Sequence, residues 1–433
     1  MKKRLYAFML VLAMIVSICP ATPGAIAAKA ETVEATEVKV RATVTPWDGS
    51  AKEEPEQVDG VYQIATAAEL AWFAEYVNDL GAADTGLVAV DAVLTEDIDL
   101  GDHPWTPISM VNYVTDAYAG NFNGQNHTVS GLKIDTTSAN YGLFSVVNTG
   151  TIENLKVEGD VSSSNVVGGI IGKLQNGGAI RNCSMRGSVS STGKTTKGYA
   201  GGLIGTVTNA PGAIITGCCN QAEVSGSYAG GILGYNSNAV VISSCYNTGD
   251  ITGVTRSGGI AGQQSKGTIS YCYSIGTSKN GICGFSSATV TNCYYLAENT
   301  SDAVSAPGGT PSGIGYETIS GKDSLLQNLN AAGSEGSFCE DTAGINEGYP
   351  VLNWQLVSDV VSIPVTEVSI IGEKKTGAGL MAQALGKEGE AATNVSYQWE
   401  QSGDGSHYTD IPSAVNRNFE IPDEAEYAGK YIR

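Results

Sequence analysis

The chain has 433 residues, 55 of them Gly, only 16% of them charged, and a formal net charge of −20. That length leaves room for two or three domains with their own cores, and so much Gly with so little charge points to tight-turning β structure rather than a helical enzyme. The negative balance argues against nucleic acid and anionic membrane surfaces as partners, because both are bound by clustered Lys and Arg.

Lys2, Lys3 and Arg4 precede an apolar run from Leu5 to about Cys19, and small residues follow up to Ala27 or Ala30. This is the pattern of a secretory signal occupying residues 1–30. The run is shorter than the roughly 18 to 20 residues of a membrane span. Ile18, not a small residue, precedes Cys19, so export without a lipid anchor is expected, to the exterior or the cell surface. No second apolar run precedes Arg433, and no membrane insertion is expected.

Residues 31–58 are rich in Glu and read as an acidic linker or a loose first strand. Residues 59–135 read as an N-terminal cap and the first β coils. In "YQIATAAELAWFAEYVNDLG", Thr66 and Glu69 form a capping box, Leu70, Phe73 and Val77 share one face, and Gly81 is expected to end the helix. A single amphipathic helix ahead of a repeat array suits the covering of an open solenoid end. Short alternating runs follow in "VLTEDIDL" and "HTVSGLKI". Asp97, Asp99 and Asp102 read as turn and capping acids, with Ca²⁺ binding as the weaker alternative.

Residues 136–296 repeat. "GGIIG", "GGLIG", "GGILG" and "GGIAG" begin at Gly168, Gly201, Gly230 and Gly258, and a second marker follows each of them. Ile152-x-x-Leu155 opens that series, which continues as Ile180-x-x-Cys183, Ile215-x-x-Cys218, Ile242-x-x-Cys245, Ile269-x-x-Cys272 and Val290-x-x-Cys293. One such unit is too short to fold alone, so the units must stack. Stacked at roughly 4.8 Å, equivalent residues form columns, with Ile and Leu inside and Gly where backbones approach. A phosphate loop is the poorer reading, as no Lys-Ser/Thr follows any copy. The region holds five acids and nine bases, nine less five giving a local excess of four positive charges.

Cys183, Cys218, Cys245, Cys272 and Cys293 share one repeat position. An even cysteine count in an exported chain suggests disulfides, but the stacking distance exceeds the ~3.5 to 4.5 Å that separates bridged Cβ atoms. An inward ladder of free thiols is therefore expected. Strand alternation turns the next residue outward, which places Tyr246, Tyr273 and Tyr294 in a stripe, with Asn247 and Tyr295 beside it. Such a stripe reads either as a binding surface for sugars or a protein or as cross-strand stacking that only stabilises the sheet.

These units, with "YAGNFNGQNHTVSGLKI", "YGLFSVVNTGTIENLKVEGDV" and the closing "INEGYPVLNW", resemble the GLUG-type repeats of bacterial surface proteins, adhesins and the non-catalytic parts of IgA-specific metallopeptidases. The resemblance spans roughly residues 60–355, with 297–355 as a C-terminal cap, and implies surface display and binding. No H-E-x-x-H is present, and His103, His127 and His407 are the only histidines, so a zinc peptidase centre is not expected.

Residues 364–433, with "VSYQWEQSGDGSHYTDIPSA" and "EYAGKYIR", resemble a bacterial Ig-like domain, Trp399 standing at the core tryptophan and Tyr431 at the tyrosine corner. Arg433 stands where a cysteine usual to that pattern would, so no inter-sheet disulfide is expected. About 70 residues fall short of a full sandwich, and the expectation is an incomplete module whose gene product continues.

The expected architecture is all-β: a right-handed parallel β-helix-like solenoid with an N-terminal capping helix, then the incomplete Ig-like β-sandwich. The expected function is a surface binding or adhesion protein for a glycan or a partner protein, without catalytic residues or cofactor. A β-helix polysaccharide lyase or hydrolase and a non-binding structural stalk are the alternatives. The few scattered acids, Glu153, Glu158, Asp160, Glu223 and Asp250, do not readily converge on one face as hydrolysis requires.

Overall fold

The computed structural model describes residues 44–356, apart from 84–85, 111–116, 138–139, 194–197, 210–211, 301, 305–315 and 331–336, and six strands between 367 and 432. The expected signal at 1–30 and Trp399 lie outside the described residues.

The chain is predominantly β. Twenty-six strands join one sheet, and among its described pairings only that of Glu56–Val58 with Val61–Ile64 is antiparallel. The rest stack coil on coil, as the repeats require. One column runs Tyr62, Ala92, Phe122, Ile152, Ile180, Ile215, Ile242, Ile269, Val290, and every member is buried. The register also exposes a fifth copy of the glycine unit, Asn280-Gly281-Ile282-Cys283-Gly284, whose Asn280 and Cys283 pair with Gly258 and Ala261.

Two local devices make each coil turn. The residue ahead of each ladder cysteine is left-handed: Asn182, Ser244, Tyr271 and Asn292 have φ between 49° and 52°, and Gly217 has 63°. Asn and Gly tolerate this conformation best, which explains the recurring Asn in I-x-N-C. The glycine unit has a different cause. Gly231 has an ordinary φ, but a Cβ there would lie less than 3.0 Å from the Gly259 carbonyl and from the Asn247 side chain, which crosses the interior toward it. The glycines thus make room rather than supply unusual angles.

The five ladder cysteines are buried and free. Each thiol reaches the carbonyl two residues earlier, as in Cys183 Sγ to Arg181 O at 3.1 Å and Cys245 Sγ to Ser243 O at 3.1 Å. Burial pushes the thiols of Cys183, Cys218, Cys245 and Cys272 well up from their ordinary range, and it raises Cys219 and Cys283 to about 12. Because the thiolate is the reactive species and all seven side chains, Cys293 included, are shielded from solvent, the native protein at pH 8 is expected to leave the seven buried cysteines unmodified by an aromatic disulfide reagent. Denaturation without reductant should then release them all. Recovery of fewer thiols on denaturation would mean that some are paired.

Helix α1 (Ala67–Ala82) has both halves of the capping box, Glu69 N–H to Thr66 Oγ1 at 3.2 Å and Thr66 N–H to Glu69 Oε2 at 2.9 Å. Its Leu70, Phe73 and Val77 are fully buried. The Phe73 ring meets Tyr62, Phe122 and Tyr118 at 5.8, 6.1 and 6.3 Å, so α1 covers the apolar end of the first coils. Gly81 does not end the helix. It is buried in the last turn, and the chain leaves through Ala83 in right-handed conformation, with the Ala83 N–H bonded to Asp79 O at 3.1 Å.

The segment read as a linker is in part built into this end. Glu56–Val58 pairs as a strand, Trp47 N–H bonds Asp99 O at 2.9 Å, and the Trp47 ring stands edge-on to Trp105 at 5.8 Å.

Residues 297–355 do more than close the far end. Asp302–Val304 and Tyr316–Thr318 add to the last coils. The chain then doubles back along one side as α2 (Lys322–Leu329), the hairpin Phe338–Cys339 with Val351–Leu352, and α3 (Asn353–Leu356). Trp354 Nε1 donates to Gly217 O at 2.8 Å and Gln355 Nε2 reaches Cys219 Sγ at 3.2 Å. Those contacts lie three coils, about 14 Å, before Tyr294. The segment is a side lid.

Asp341 organises the lid's turn, accepting from the N–H groups of Ile345, Asn346 and Gly348 at 2.8, 2.8 and 2.9 Å. Burial opposes its charge, but these backbone donors outweigh burial and hold the carboxyl below its ordinary value. A depressed carboxyl contributes stability above its unfolded pKa of about 3.9 and loses it as pH falls through the folded value. Proteolysis of residues 320–356 should therefore quicken on acidification below about pH 4, and Asp341→Asn should show the fast rate already at pH 7. Equal rates for variant and parent at pH 7 would remove this role.

The chain divides into two compact units, one of 42–358 and one that includes 359–433. In the second, Glu367–Gly372, Gly379–Leu385 and Asn418–Glu420 form one antiparallel sheet, and Thr409–Asp410, Glu400–Ser402 and Tyr431–Ile432 form another.

Candidate functional site

The stripe of Tyr246, Tyr273 and Tyr294 points away from the coil interior, as strand alternation requires, and is nonetheless buried, at 0%, 0% and 8% exposure. The lid is the reason. Leu325, Leu329, Phe338 and Leu352 pack on these rings, and Tyr246 and Tyr273 stack on each other at 5.0 Å with 6° between planes. Tyr246 Oη bonds Gln355 Oε1 at 2.9 Å, Tyr273 Oη donates to Pro350 O, and Asn346 Nδ2 donates to Tyr273 Oη at 2.6 Å. These tyrosines are the lid's seat and not an open binding surface. Asn247 is corrected with them. It lies inside, its Nδ2 bonding Gly249 O at 2.8 Å and Ser274 Oγ at 3.2 Å. Tyr295 is half-buried against the core opposite Gly281.

Asp99 and Asp102 lie in one turn, whereas Asp97 reaches across to the next coil. Asp97 Oδ1 accepts the Thr128 N–H at 2.9 Å and lies 3.3 Å from His127 Nδ1. Asp99 Oδ1 accepts the Gly101 N–H at 2.8 Å, and Asp102 takes φ 55° in the same turn. Among the described residues no group of three or more His, Cys, Asp or Glu is arranged to hold a metal ion.

A different aromatic surface remains open. Two outward columns flank the glycine corner. The one two residues ahead of it is Val166, Tyr199, Tyr228, Arg256. The one directly after it is Lys173, Thr206, Tyr235, Gln263, Phe285. Their side chains meet across the corner. Tyr199 and Tyr235 stack at 4.3 Å with 9° between planes, and Tyr228 stands edge-on to both at 5.3 and 5.8 Å. The Arg256 guanidinium lies 3.6 Å over Phe285 and 5.4 Å from Tyr228, and it donates to Gln263 Oε1. All five of these aromatic and cationic groups are half-buried. Partial burial first, then the neighbouring Tyr235 and Tyr228, raises the Tyr199 hydroxyl pKa, and partial burial lowers that of Lys173.

The signal for this surface was present in Tyr199-Ala-Gly-Gly, Tyr228-Ala-Gly-Gly and Arg256-Ser-Gly-Gly. The position two residues ahead of the glycines was a column in its own right.

A separate cleft of about 300 Å³ lies beside α1, lined by Trp47, Lys52, Glu75, Asn78, Trp105 and Met110 among others. Its polar groups are already engaged. Lys52 pairs with Glu75, and the Asn78 amide bonds Pro107 O at 3.1 Å and the Met110 N–H at 2.7 Å. It therefore offers a ligand less than the open aromatic face does.

No family model matches the chain. Of known proteins, halomucin from Haloquadratum walsbyi is 28% identical over 205 residues, which is 43% of this chain and 2% of halomucin's own length. Of solved structures, a candidate immunoglobulin A1 protease from Bacteroides ovatus is similar at a TM-score of 0.51 with 21% identity, over 70% of this chain and 96% of that one. At that identity the likeness concerns the fold. No helix among the described residues is long and apolar enough to cross a membrane.

Proposed function

We propose that the chain is an exported, cell-surface binding protein whose right-handed β-solenoid presents the Tyr199, Tyr228, Tyr235, Arg256 and Phe285 face to a glycan. The observation that carries this reading is the partly exposed tyrosine cluster on stacked coils. Flat rings with hydroxyls at their edges suit the apolar faces and hydroxyl rims of sugars, and a solenoid holds them rigid, so little ordering entropy is lost on binding. The partial likeness to halomucin and the GLUG-type repeat pattern support placement outside the cell. The solenoid likeness to the Bacteroides ovatus structure supports a scaffold role for this region, and the two antiparallel sheets within 367–432 support an Ig-like module following it. Enzymatic action is not part of the proposal.

The test is replacement of Tyr199, Tyr228 and Tyr235 by Ser in the full chain, followed by a glycan microarray. Parent binding that drops at least tenfold, with an unchanged thermal transition, supports the proposal. Binding that survives the triple change would move the site elsewhere.

A further inference from the structure

The charge around this face selects among glycans. The strands that build its two columns, 166–175, 199–208, 228–236, 256–264 and 280–286, contain no Asp or Glu, in a chain with 44 acids and a net charge of −20. They do contain Lys173 and Arg256. Among the described ion pairs neither of these cations has an acidic partner. Lys173 stands at one end of the tyrosine cluster and Arg256 at the other, separated along the stack by the coils of Thr206 and Tyr235. Three coil steps make that separation about 14 Å.

An unpaired Arg in an aromatic face has a specific use. Its stacking on Phe285 and its bond to Gln263 fix the guanidinium plane, and a fixed fork is suited to a carboxylate, which it can meet with two parallel bonds. The acids of the chain lie mostly elsewhere, sixteen of them within residues 31–100. An anionic polymer is therefore repelled by much of the molecule and admitted at this face. Two cations about 14 Å apart along the stack suit sparse carboxylates along a sugar chain better than the dense charge of a sulfated one.

We infer that the aromatic face takes an acidic polysaccharide bearing carboxylates, with Arg256 and Lys173 as its charge-reading residues. This rests on the proposed glycan-binding role of the same face. Sugar rings would lie along Tyr199, Tyr228 and Tyr235, and the two cations would each meet a carboxylate on the same strand.

The experiment is calorimetric titration of the full chain with polygalacturonate oligomers, neutral dextran oligomers and a heparin oligosaccharide, at low and at physiological salt. The expected result is preference for polygalacturonate, weakening with salt, with at least a tenfold loss in Arg256→Gln and in Lys173→Gln. Arg256→Lys keeps the charge without the planar fork and should lose less than Arg256→Gln. Equal binding of dextran, unaffected by Arg256→Gln but abolished by the tyrosine triple change, would overturn the carboxylate assignment and leave the glycan face standing. A preference for heparin would likewise overturn it in favour of dense sulfate recognition. Binding of none of the three would count against both the assignment and the glycan face.

Discussion

Gly231→Ala is expected to destabilise the solenoid by about 3 kcal/mol, at the upper end of what one extra carbon costs in a packed interior. The obstacle is backbone. The new Cβ would meet the carbonyl of Gly259 in the next coil and the Asn247 amide from across the interior. Gly259 is itself tied to the following coil, its N–H bonded to Asn280 O at 2.9 Å, so its backbone cannot retreat without breaking that contact. Asn247 is itself held by Gly249 O and Ser274 Oγ and accepts from Asn220 Nδ2 at 2.8 Å, so moving it would strand several buried polar groups. Gly321→Ser is the matching control. Gly321 is extended, with φ 176°, and the nearest atom to an added Cβ is Ser324 Oγ at 3.5 Å. A serine there can also cap α2, so no loss is expected. Chemical denaturation of both variants measures the difference, and equal midpoints would show that the glycine columns are not close-packed.

Tyr273→Ala should cost about 3 to 5 kcal/mol, the range for removing a large buried ring, and should release the lid. The ring is fully buried between Tyr246 and Phe338, at 5.0 and 5.8 Å. Its hydroxyl joins the coil to Pro350 and Asn346. Tyr273→Phe keeps the stacking and loses only the hydroxyl's bonds, for about 1 kcal/mol. Limited proteolysis should cut Tyr273→Ala within 320–356 much faster than the parent while residues 136–296 stay resistant, with Tyr273→Phe between the two. A lid that remains resistant in Tyr273→Ala would show that other contacts hold it.

The two tyrosine sets explain what could be read from the chain alone and what could not. Column composition was legible because stacking converts each repeat position into one environment. Ile152 to Val290 and Cys183 to Cys293 could be assigned inward on spacing, and Thr66 with Glu69 marked the start of α1. The direction of Tyr246, Tyr273 and Tyr294 was also legible. Their burial was not, since it depends on Leu325, Phe338 and Leu352, which lie outside the repeats and carry no periodic signal. The open face was obscured for a different reason. Its residues vary down each column, from Val166 through Tyr199 and Tyr228 to Arg256, and only the coil register shows that Tyr199, Tyr228 and Tyr235 meet and that Arg256 joins Phe285 to them. The fifth glycine unit escaped similarly, because Asn280 and Cys283 replace the residues that made the other four alike.

The most direct test of the account is mass-spectrometric footprinting of tyrosine in the native full chain, with and without polygalacturonate. Tyr199, Tyr228 and Tyr235 are expected to be labelled in the free protein and protected by the polysaccharide, whereas Tyr246 and Tyr273 stay unlabelled in both states. Labelling of Tyr246 and Tyr273 in the free protein, with Tyr199, Tyr228 and Tyr235 indifferent to polysaccharide, would contradict it.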